Sequence, residues 1–68
     1  MMQNDYKGAI EDFNISLILT PGNAKVYYNR GASFLSIQDT SGACNDWKMA
    51  KQLGYEKVVT QLNALGCK

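Results

Sequence analysis

Shifting the chain against itself by 34 residues, with no gap, places Asp5 on Asp39, Gly8 on Gly42, Ala9 on Ala43, Asp12 on Asp46 and Leu19 on Leu53. Phe13 then falls on Trp47, Ile15 on Met49 and Ser16 on Ala50. A fixed period of roughly 20–50 residues marks an architecture made by stacking one supersecondary unit on its neighbours. No other feature of the sequence restricts the fold as strongly. The chain has only 68 residues. A domain of that size buries roughly 60% of its unfolded surface, so a disulfide, a partner or stacked repeats would help to stabilise it.

The pattern inside both copies is helical. Ala9, Phe13 and Ser16 are spaced four and three apart, which puts them on one face, and Ala43, Trp47 and Ala50 repeat that face. Ile10, Leu17 and Cys44 add a second apolar flank, as expected of a helix packed between two others. Asp5 and Asp39 are good N-caps, Pro21 and Gly22 stop the first helix, and Asn23 caps the next. Val26, Tyr27, Phe34 and Ile37 define the core side of that second helix. Its Gly31, with Ala32 beside it, suggests close approach by a neighbouring helix. Tyr55, Val58, Val59, Leu62 and Leu65 follow the i, i+3, i+4, i+7 rule, and Gly66 closes the set. The reading is four helices, at about 5–19, 24–37, 40–53 and 55–65.

These residues resemble the tetratricopeptide repeat, a helix–turn–helix unit of about 34 residues with the pattern W-x2-L-G-x2-Y, A-x3-F and P. Tyr27, Arg30, Gly31 and Phe34 match its first part, and Ala43 and Trp47 its second, with Tyr55 at the proline position. Ala9, Phe13 and Pro21 match the later half in the earlier copy. The resemblance implies an all-α solenoid of helical hairpins, stacked as a short right-handed superhelix. Its units are a half repeat at 1–22 lacking its first helix, a complete repeat at 23–54, and a C-terminal capping helix at 55–68. The segment from Ala43 to Cys67 also resembles the end of many bacterial repeat proteins, so the expectation is the C-terminal fragment of a longer array. Arg30 replaces the usual leucine; its stem is expected to lie along the neighbouring helix with its guanidinium in water.

The resemblance further implies a non-catalytic scaffold that binds a protein or peptide in a concave groove. The matching positions are Lys25, Tyr28, Asn29, Ala32 and Ser36. Lys25 would meet a carboxylate, Tyr28 would offer a flat amphipathic contact, and Asn29 would bond a peptide backbone. The alternative is that Lys25 and Ser36 are simply solvated and Tyr28 covers its own helix. Asn29 also matches one position of a carboxylate clamp whose other members lie in repeats outside this chain. Ala9, Phe13 and Ser16 form a candidate self-association face, because the first helix lacks a partner. On that second reading the chain is a homo-oligomerisation module.

Cys44 lies ten residues before Gly54 and Cys67 thirteen after it, so antiparallel helices would bring the two to similar heights. They are read either as a disulfide, favouring a periplasmic or other extracytoplasmic setting, or as a buried apolar side chain and a reduced thiol. A thiol redox role is a third functional reading. No Cys-x-x-Cys spacing supports it.

Other chemistry finds little support. With two cysteines and no histidine, no metal site or cofactor is expected. Glu11, Asp12 and Asp46 read as solvated carboxylates, with no histidine base or activated nucleophile beside them. Seven basic and six acidic residues give a net charge of +1, so nucleic acid has no electrostatic case as a partner. No apolar run is long enough for membrane insertion.

Overall fold

The computed structural model describes residues 5–67. Among these the fold is all-helical: α1 Tyr6–Leu19, α2 Ala24–Ser36, α3 Thr40–Gln52 and α4 Val58–Leu65. Each helix packs on the one before it in the chain, α2 on α1, α3 on α2 and α4 on α3. The residues 1–4 of the expected half repeat, and Lys68, lie outside the described part.

The helix ends explain the short connections. The Asp5 carboxylate accepts from the Gly8 N–H at 3.0 Å, and the Asp39 carboxylate accepts from the Gly42 N–H at the same distance. The 34-residue repeat is thus partly a repeat of one capping device. In each copy the carboxylate occupies the space that a Cβ on the glycine would need. Asn23 caps α2 by accepting from Lys25 and Val26.

Three helices close with a left-handed residue, at Gln38, Gly54 and Gly66. After each, the next N–H reaches back five residues: Asp39 to Phe34, Tyr55 to Ala50 and Cys67 to Leu62. This double-bonded termination satisfies carbonyls that would otherwise end without partners. Asp39 therefore closes α2 through its backbone and opens α3 through its side chain, which makes the α2–α3 hairpin tight. The turn at Gly54 explains one departure from expectation. Tyr55 was assigned to the fourth helix, yet the chain leaving Gly54 makes a further turn, and α4 begins at Val58.

The core sits on one side of the molecule. Ala43, Trp47 and Ala50 of α3 and Val58 and Leu62 of α4 are buried, with Tyr27, Tyr28, Phe34, Tyr55, Leu65 and Cys67 packed around them. Trp47 is at its centre. Its indole lies against Gly31, and its Nε1 donates to the Tyr28 carbonyl oxygen at 3.0 Å. Gly31 is the close-approach point expected of it, whereas the neighbouring Ala32 faces solvent. By contrast α1 has no fully buried residue.

Substitution Gly31→Ala tests this contact. Alanine favours an exposed helix over glycine by about 1 kcal/mol. Here its Cβ would stand 2.5 Å from Trp47 Nε1 and 2.7 Å from Cδ1. The helices must separate, so the expected outcome is a net loss of about 1–3 kcal/mol, seen as a lower urea midpoint.

Candidate functional site

Arg30 on α2 forms the most connected polar centre. Its Nε and NH2 donate to the two Asp46 carboxylate oxygens, each at 2.7 Å, and its NH1 donates to Asn14 Oδ1 at 2.7 Å. Three helices meet through one guanidinium. The cation also stands 5.5 Å from the Tyr27 ring centre and 5.7 Å from that of Phe34. Hydrogen bonding to Asp46 raises the Arg30 pKa above its ordinary value, against the opposing pull of burial.

Two expectations are corrected here. The Arg30 head does not reach out into water, and Asp46 is not a solvated carboxylate but a buried, ion-paired one. Asp46 lies on the same helical face as Ala43 and Ala50, which was the available signal. A carboxylate on an apolar stripe needs a cation, and a planar guanidinium satisfies both oxygens at once.

The five positions read as a binding surface divide in two. Lys25, Asn29, Ala32 and Ser36 are exposed, and at their spacing they form one stripe along α2. The Ser36 hydroxyl donates to the Ala32 carbonyl at 3.1 Å. Tyr28 is half-buried instead. Its ring packs on Trp47 at 6.3 Å and Tyr55 at 5.2 Å, and its hydroxyl accepts from Gln61 Nε2 at 3.4 Å. The other amide atom of that glutamine, Oε1, is buried without a hydrogen-bond partner. Tyr28 thus joins α2 to α3 and to the segment leading into α4.

On α1, Ala9, Phe13 and Ser16 are half-buried. The larger exposed apolar surface comes from Ile15, Ile18 and Leu19, at 57%, 77% and 78% exposure. Register gave a partial hint of this, since Met49 and Leu53, the counterparts of Ile15 and Leu19, are also exposed.

Cys44 and Cys67 form a disulfide with a Cα–Cα distance of 5.7 Å, linking α3 to the residue just beyond α4. Open clefts flank it on both sides. One, of about 400 Å³, is lined by Lys48, Lys51, Gln52, Leu62 and Cys67. The other, of about 520 Å³, lies between Thr40, Ser41, Asn45, Leu65 and the two cysteines. Among the described residues there is no cluster of three or more histidine, cysteine or acidic side chains able to hold a metal ion. No helix among them is long and apolar enough to cross a membrane.

With this geometry in view, the chain was compared with known proteins. No family model, curated protein or solved structure matches it.

The disulfide closes a loop of 23 residues in sequence. Constraining an unfolded chain over such a span stabilises the folded state by about 3 kcal/mol. Reduction, or the pair Cys44→Ala with Cys67→Ala, is expected to lower stability by that order. Amide exchange should accelerate first in α4, as read by hydrogen–deuterium exchange.

Proposed function

We propose that this chain is a non-catalytic protein-binding scaffold module of the tetratricopeptide-repeat kind, presenting α2 to a peptide or to an extended segment of a partner. The observation that carries this reading is the exposed stripe of Lys25, Asn29, Ala32 and Ser36. The opposite side of α2 is fixed by Gly31 against Trp47 and by Arg30 on Asp46. A helix held in this way can offer a cation and an amide at fixed spacing, with little ordering cost when a partner binds. Small Ala32 and Ser36 leave room for a backbone to approach. Tyr28 contributes by holding the stripe in place, with at most its edge available to a ligand. The Cys44–Cys67 disulfide fits a protein working in an oxidising, extracytoplasmic compartment.

A photo-crosslinker placed at Ser36 tests the proposal. A partner should be captured from the native extract, and its capture should fall on changing Lys25→Glu together with Asn29→Ala while the melting temperature is kept. Capture indifferent to those changes would remove the stripe from consideration.

A second reading, homo-oligomerisation through α1, is favoured by the exposure of Ile15, Ile18 and Leu19. Contiguous apolar side chains at one end of a helix favour association. Sedimentation equilibrium should then show a concentration-dependent dimer that Ile18→Lys dissociates. A monomer at every concentration would exclude it.

A further inference from the structure

The two copies of the repeat carry the same face in different surroundings. On α3, Ala43, Asp46, Trp47 and Ala50 are all buried. The side chains of α2 that cover this face include a recognisable set: Arg30 for the Asp46 carboxylate, Gly31 for the approach of the Trp47 ring, and Tyr27 and Phe34 flanking the guanidinium. On α1 the equivalent positions are Ala9, Asp12, Phe13 and Ser16. There Asp12 is exposed, and the other three are only half-buried. The side of α1 bearing Asn14 is already occupied, because Asn14 accepts from Arg30. The free side is the one that, on α3, faces an arginine-bearing helix.

We propose that the Ala9–Asp12–Phe13–Ser16 face of α1 docks a helix of a partner protein that carries the α2 recognition set: an arginine followed directly by glycine, with an aromatic residue three positions before the arginine. Each requirement follows from the internal template. A guanidinium can donate two parallel hydrogen bonds to Asp12, as Arg30 does to Asp46. Glycine admits the Phe13 ring at the distance that Gly31 allows Trp47. The aromatic residue shields the ion pair from water, which strengthens it.

A second folded copy of this chain does not fit the role. Its own Arg30 is held by Asp46 and Asn14, and its Gly31 is covered by Trp47. The inference uses only the register between α1 and α3, so it stands or falls separately from the α2 stripe.

The probe is a synthetic peptide of residues 23–37, which carries the set, titrated into the isotope-labelled 68-residue chain. Amide shifts are expected to change along α1, around Ala9 to Ser16. Arg30→Glu in the peptide should weaken binding by about tenfold or more. The protein variant Asp12→Arg should lose the native peptide and regain affinity for a peptide with Arg30→Asp. Asp12 is exposed, so that variant should keep its circular dichroism spectrum and melting temperature. Absence of shifts at millimolar peptide would overturn the proposal, as would binding indifferent to Asp12→Arg. Shifts centred on α3, meaning displacement of the protein's own α2, would overturn it too. An Asp12-dependent dimer in sedimentation would assign the face to a second copy and equally defeat it.

Discussion

The contact between Trp47 and Gly31 sets the geometry of everything around it. An indole ring lying where a Cβ would otherwise stand brings α2 and α3 unusually near to each other. That separation lets Trp47 Nε1 reach the Tyr28 carbonyl and lets the Arg30 side chain meet Asp46 across the interface. Tyr28, held against the indole, in turn packs on Tyr55 and reaches Gln61. One missing side chain thus organises a large apolar ring, a buried ion pair and the path into the last helix. Interiors packed to crystal-like density transmit such a local choice over several residues.

Around this centre the two ends of the molecule are held by different means. The α4 end combines Val58 and Leu62 in the core with the Cys44–Cys67 disulfide. For so short a helix, lacking a side-chain N-cap, this covalent tie offsets a limited apolar contribution. At the other end α1 rests on α2 without a fully buried residue and is joined to the polar centre through Asn14. Local opening should be easiest there, since the elements with the fewest buried contacts unfold first. The same end carries most of the exposed apolar surface, in Ile15, Ile18 and Leu19.

Arg30 and Asp46 show how a polar pair can be built into a small helical core. Both carboxylate oxygens and three guanidinium nitrogens are bonded, and two aromatic rings flank the cation. Such a pair contributes less to net stability than its distances suggest, because desolvation opposes the attraction. Its stronger effect is on specificity: a register slip of α2 along α3 would strand a buried charge.

The sequence by itself determined the four helices, the capping aspartates, the glycine at the helix crossing and the face carrying Ala43, Trp47 and Ala50. These follow from short-range physics: 3.6-residue periodicity, N-cap chemistry and the small size of glycine are legible within a few residues of chain. It also brought Cys44 and Cys67 to comparable heights while leaving their bond open. Tertiary structure alone decided that Asp46 is buried while Asp12, its counterpart in the repeat, is exposed. It likewise decided that Arg30 turns inward and that Tyr28 serves packing more than presentation. The start of α4 at Val58, past the turn at Gly54, belongs with these. The reason is physical: whether a charged or aromatic side chain meets water depends on what another helix places beside it. Two identical residues in the same local pattern can therefore meet opposite fates.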